Sequence, residues 1–134
     1  MSYFEIRKAS DIKGLGAFAT QDIPACTILD EAQVLVMKQK DWIQIQDTVL
    51  YNYSFEWNDP DESDDDDWEV AAFAMSPCEF INHSYTPNSK YIIDKEKRVI
   101  TFSTIRDIAS GEELTVNYNG TVDDCKPVWF DVEE

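Results

Sequence analysis

The apolar residues of this chain come in short runs, and few of them recur at helical spacing. The runs are β-branched or aromatic and end in turn residues, which predicts a mostly β domain. Candidate strands are Tyr3 to Arg7, Ala17 to Ala19, Thr27 to Val36, Leu50 to Trp57, Trp68 to Ala74, Lys90 to Ile93, Arg98 to Thr104 and Leu114 to Val116. Lys40 to Val49 fits a helix capped by Asp41, but Ile43, Ile45 and Val49 fit a strand nearly as well. Ser76 to Ile81 reads as one helical turn with Pro77 at its first position. At 134 residues, 43% hydrophobic, the chain is one domain's worth with material for a core.

Charge narrows the partners. Lys and Arg number 11, Asp and Glu 27, so the net charge is −16. Binding phosphates needs a basic face, so direct nucleic-acid binding is not expected. An anionic membrane surface is disfavoured for the same reason. A basic protein or peptide is the partner such a charge suits. Acidity that only keeps the protein soluble is the plainer reading. Seven of the acids fall between Asp59 and Asp67, and removing those seven from −16 still leaves −9. The segment Asn58 to Asp67 is a solvated loop by composition, expected at the tip of a long hairpin. It lacks the glycine and closing glutamate of an EF-hand, so calcium is not expected there.

Cys26, Cys78 and Cys125 are widely spaced and His83 is the only histidine, so no metal site is expected. An odd cysteine count in an unstapled domain suggests reducing cytosol or nucleus. The N-terminus has no apolar signal region, and no stretch approaches the ~20 apolar residues of a membrane span. The expectation is a protein that is neither secreted nor membrane-bound.

One internal echo stands out. Asp22-Ile23, with Leu29 beyond it, parallels Asp107-Ile108 with Leu114 beyond it. Each reads as a turn leading into a strand, and two matching corners do not make a repeat protein.

Three segments are denser in polar and glycine residues than turns require. Lys13-Gly14-Leu15-Gly16-Ala17-Phe18 has two glycines that let backbone approach a ligand, though a tight hairpin explains them as well. It lacks the third glycine and helix of a dinucleotide fingerprint. Asn82-His83-Ser84-Tyr85-Thr86-Pro87-Asn88 follows the apolar Phe80-Ile81 and should be pinned to the core. No nucleophile elbow surrounds Ser84, so a hydrolase triad is not expected. Gly111 to Tyr118 is a turn, a short strand, then a tyrosine.

Together and in this order, the three segments resemble the SET domain of protein-lysine methyltransferases. Gly14, Gly16 and Phe18 match its GxGxF-type loop. Asn82, His83, Ser84, Pro87 and Asn88 match its NHSCxPN motif. Gly111, Glu112, Glu113, Leu114, Thr115 and Tyr118 match its GEELTxDY motif. Tyr53 to Trp57 is similar to a family strand that lends a tyrosine to the lysine channel, and Cys78 to His83 resembles the ARFINH turn. The likeness runs from about Phe4 to Tyr118. It implies several small curled β-sheets, short helical turns and a C-terminal pseudoknot. The domain would span 1–118, and 119–134 would be a tail closing the site. Two positions depart from the pattern. Tyr85 stands where the family has a cysteine that helps bind zinc, and this chain has no cysteine-rich segment after Tyr118. Asn117 stands where the family has aspartate, a position that varies.

The activity implied is methyl transfer from S-adenosylmethionine to a lysine ε-amine. Tyr118 would be catalytic. Lys13, Gly14, Leu15, Asn82 and His83 would hold the cofactor, His83 through its backbone toward adenine. Tyr53 would line the lysine channel. In the tail, Trp129 would stack on adenine and Phe130 on the lysine stem. The substrate implied is a basic protein or peptide such as a histone tail, and the resemblance also allows a homodimer. A rival reading keeps the fold and drops the chemistry, leaving an inactive module that binds a basic partner.

Overall fold

The computed structural model describes residues 2–123, 125–128 and 132. In chain order its strands are β1 (Phe4–Ser10), β2 (Gly14–Ala19), β3 (Ile28–Lys38), β4 (Phe55–Glu56), β5 (Glu69–Ala74), β6 (Asn82–His83), β7 (Ser89–Asp94), β8 (Val99–Thr104) and β9 (Thr115–Val116). One α-helix, α1 (Gln39–Ile45), lies between β3 and β4. Single 3-10 turns cover Val49–Tyr53, Pro60–Glu62 and Pro77–Phe80. The mostly β expectation holds.

Three sheets share one core. β1 and β2 pair antiparallel, and the central sheet runs β4-β5-β3-β8-β7, antiparallel throughout. β6 and β9 form a small parallel ladder, Asn82 opposite Thr115 and His83 opposite Val116. In β8, Ile100, Phe102 and Thr104 point inward while their neighbours are half-exposed, as a one-sided strand requires. β5 buries Val70, Ala71, Ala72 and Ala74, so both of its faces are covered. The core draws on every sheet, through Ala17, Ala32, Ile100, Phe102 and Val116, and on the connecting segments through Ile23, Ile81, Ile108 and Leu114.

The echoed corners meet each other. Ile23 and Ile108 exchange both backbone hydrogen bonds at 2.8 Å. Asp22 Oδ1 accepts from Ser110 N–H, and Asp107 Oδ1 accepts from Ala25 N–H, both at 2.9 Å. Each aspartate thus caps the other's corner, and both isoleucines are sealed in the core.

Local chemistry explains where the sequence reading failed. Leu50 to Trp57 is not one strand: residues 49–53 wind into a 3-10 turn and only Phe55–Glu56 pairs. Ser54 Oγ donates to Tyr51 O and Thr48 Oγ1 to Ile45 O, side-chain bonds that compete with a ladder. The 40–49 ambiguity resolves as α1, which packs on β3 and β5. Asp41 is not its cap. Lys38 is, with no side-chain bond, and Asp41 sits in the first turn, near the helix's positive end. The acidic loop joins β4 to β5, a short hairpin rather than a long one. Within it Asp59 caps Asp61 N–H, and Asp67 lies near Lys38 and Lys40, at 3.5 and 3.3 Å.

Candidate active site

The parallel ladder welds the second and third motif segments. Ser84 N–H donates to Val116 O at 2.9 Å. Asn88, fully buried, donates through Nδ2 to Glu113 O at 2.8 Å and accepts Thr115 N–H at 2.9 Å. The first segment joins them where Leu114 N–H donates to Ala17 O and Phe18 bridges Glu113. All three segments therefore converge at one place.

At that place stands a polar junction. Lys13 Nζ lies 3.0 Å from Glu113 Oε1, and both side chains are 17% exposed. Asn82 Nδ2 donates to Glu113 Oε2 at 2.8 Å and to Leu15 O at 3.0 Å. Both of its amide protons are thus engaged, while Oδ1 accepts nothing among the described residues. Lys13 N–H donates to Ser10 Oγ, which sets the turn into β2. Gly14 has φ of +74°, and Gly16 is buried against the junction. A Cβ on Gly16 would lie 2.6 Å from Glu113 Oε2 and 2.9 Å from Asn82 Nδ2, closer than atoms pack. Lys13, Gly14, Leu15 and Asn82 are accordingly brought together.

Tyr118 is held at both ends. Its N–H donates to His83 Nδ1 at 2.9 Å, and its hydroxyl donates to Ile81 O at 2.9 Å. An accepting Nδ1 puts the proton of a neutral His83 on Nε2. His83 is buried, with Tyr85 edge-on at 4.5 Å and Tyr118 tilted at 5.2 Å between ring centres. Burial, reinforced by the Glu79 carboxylate, holds the Tyr118 phenol well above its ordinary value. It stays protonated across the neutral range. Asn117, where the family pattern has aspartate, is buried and accepts Asn119 N–H at 3.0 Å.

Tyr118 also lines a cleft of about 740 Å³. Tyr53 enters it from the 49–53 turn, its ring edge-on to Phe80 at 5.8 Å. The sequence reading missed two other residues there. Tyr91, on β7, donates from its hydroxyl to Tyr118 O at 3.3 Å and packs edge-on against Phe55. Burial pushes the Tyr91 phenol up to about 12. Glu79, on the 77–80 turn, accepts Ala74 N–H at 2.5 Å, and burial pushes its carboxyl up to about 8. Strand alternation gives a tyrosine like Tyr91 no mark that separates it from packing. Glu79 carried a faint signal, an acid inside the apolar Cys78-Phe80-Ile81 run. Trp129 and Phe130 lie outside the described residues. Among the described residues, no group of three His, Cys, Asp or Glu could hold a metal ion, and no helix is long and apolar enough to cross a membrane.

The SET domain family matches residues 14–119, so the chain belongs to the SET-domain family, that of protein-lysine methyltransferases. It is similar to a Schizosaccharomyces pombe histone-lysine N-methyltransferase specific for H3 lysine 37, 29% identical over 98% of this chain and 80% of that protein. It is 36% identical to a Mycosarcoma maydis histone-lysine N-methyltransferase specific for H3 lysine 36, over 80% of this chain but 11% of that much longer protein. Among solved structures, ctPRC2 in an autoinhibited conformation bound to S-adenosylmethionine shares the fold. Its TM-score is 0.67 at 22% identity, covering 87% of this chain and 15% of that one.

Proposed function

We propose that this chain methylates the ε-amine of a lysine in a basic protein substrate, such as a histone tail, using S-adenosylmethionine. One observation carries the reading: Tyr118 is bonded to the strand that bears Asn82 while its side chain lines the aromatic cleft. Family membership and the printed activities of the relatives support it.

The junction suits the amino-acid end of the cofactor. Asn82 Oδ1 is an acceptor held in place by two bonds from its own amide nitrogen, which fits an ammonium group. The backbone of Lys13, Gly14 and Leu15 would border the same end. His83 would serve through its backbone, since its ring is engaged with Tyr118 N–H. When bound, S-adenosylmethionine supplies an electrophilic methyl group on a sulfonium sulfur. On the cleft side, Tyr53 would line the channel for the lysine stem and Tyr118 would orient the amine. The attacking amine must be neutral, against an ordinary pKa of about 10.4, and loss of water around it on entering the cleft would favour that form. Most of the remaining help is positioning. Trp129 and Phe130, in a tail running from 119 to 134 beyond a domain of 1–118, would close over adenine and the lysine stem. The charge of −16 would draw a basic substrate.

Calorimetric titration with S-adenosylhomocysteine, on wild type and Trp129→Ala, tests the cofactor site. Micromolar binding weakened by the substitution is expected. Methylation of a basic-peptide array by wild type, lost in Tyr118→Phe, tests the chemistry. No cofactor binding to wild type, with or without a basic peptide, would overturn the proposal.

A further inference from the structure

One carboxylate in the cleft has no part in the scheme above. Glu79 lines the cleft with Tyr53, Tyr91 and Tyr118. It takes a single hydrogen bond, from Ala74 N–H to Oε1, and its second oxygen accepts nothing among the described residues. No cation pairs with it there. Lys13 is turned to Glu113, and on β5 Glu69 is bonded to Arg98. The other titratable groups nearby are the Cys78 thiol on its own turn, Asp30 of β3, bonded to Ser76 Oγ, and Glu56 of β4 on the cleft lining. All of these are neutral or anionic. A half-buried acid with one oxygen left open and no cation beside it is costly unless something complements it. The cleft is where a substrate lysine would enter.

Resting on the methyltransferase reading, we infer that Glu79 receives the ammonium of the target lysine and accepts its proton. The lysine N–H bond breaks with its electron pair left on nitrogen, an O–H bond forms on Glu79, and the amine is then neutral for attack on the methyl carbon. A carboxyl poised near 8 suits a proton acceptor at the pH where the free protein works. Its backbone bond to Ala74 fixes one oxygen and leaves the other for the amine.

Glu79→Gln isolates the charge, because the amide oxygen can still accept Ala74 N–H. Peptide binding is measured in the presence of S-adenosylhomocysteine, with a basic peptide carrying either the target lysine or norleucine. The substitution should weaken the lysine peptide about tenfold at pH 9 and the norleucine peptide by less than about twofold, as loss of one charge-assisted bond predicts. Wild-type affinity for the lysine peptide should rise between pH 7 and 9, and the variant should show no such rise. Turnover of the variant at pH 8 should fall about 100-fold and recover as pH climbs toward the lysine's own pKa of about 10.4, where wild type is already level. Unchanged peptide affinity and an unchanged pH profile in Glu79→Gln, with lost stability in Glu79→Ala, would overturn the inference and leave Glu79 as a partner for Ala74 alone. Failure of wild type to bind the cofactor would instead overturn the methyltransferase reading.

Discussion

The polar junction holds Asn82 of β6 and the aromatic cleft holds Tyr118, bonded to His83 of the same strand, and the two regions are built in opposite ways. In the junction, charge is matched. Lys13 faces Glu113, Asn82 spends both amide protons, and Gly16 leaves no room to move. The cleft is walled by Tyr53, Tyr91 and Tyr118 and contains an acid with no matching cation. A matched site is rigid before its ligand arrives, whereas an unmatched one is complemented by it. The first arrangement suits holding a cofactor, the second suits handling a charged side chain that enters, reacts and leaves.

Substitutions on the two sides should separate these roles. The largest effect is expected from Tyr118→Phe. Turnover should fall by about 100-fold, as for loss of one oriented hydrogen-bonding group, while calorimetry finds cofactor affinity unchanged. If cofactor affinity falls as steeply as turnover, the two regions are not separable. Glu113→Ala strikes the junction. It strands Lys13 and one Asn82 proton, so urea unfolding should detect a loss of about 2 kcal/mol, with weaker cofactor binding. Gly16→Ala forces Glu113 or Asn82 aside. It should cost about 1 to 2 kcal/mol and weaken S-adenosylhomocysteine binding, with peptide affinity spared. Tyr91→Phe removes only a 3.3 Å hydrogen bond to Tyr118 O, about 0.5 to 1 kcal/mol, visible as a small shift in the denaturation midpoint.

A pH series sharpens the contrast without touching the chemistry. Glu79 titrates near its ordinary 4.5 when unfolded and near 8 when folded, because burial disfavours its charge. Between those values the folded state holds the extra proton. Its contribution to stability is therefore full below about 4.5, falls as pH rises, and is gone above about 8. Melting of wild type minus that of Glu79→Gln, measured from pH 4 to 9, should decline across that window. A flat difference would mean that Glu79 is already ionised in the folded protein.

Much of this was legible from residue order. Gly14, Gly16, Asn82, His83 and Tyr118 were readable because each sits in a dense local pattern whose chemistry survives without coordinates. Strands β3, β5, β7 and β8 of the central sheet were readable from short β-branched or aromatic runs that end in turn residues. The failures had local causes too. Thr48 and Ser54 bond back to the chain and bend an aromatic run whose composition reads as a strand. Tyr91 and Glu79 were missed for another reason: Tyr91 looks like any packing residue of a strand, Glu79 lies in the ARFINH-like turn without matching its pattern, and each matters only through its neighbours in space.

Short β-branched and aromatic runs, turn residues and the three motif segments were enough for a mostly β domain and its family. Those properties depend on spacing along the chain, where hydrophobic alternation and glycine freedom act over a few residues. No local rule pairs Asp22 with Ser110, sets Asn82 beside Glu113 or leaves Glu79 without a cation in a cleft lined by three tyrosines. Such contacts join residues far apart in sequence, and their energies depend on burial and on which partner the closed fold brings near.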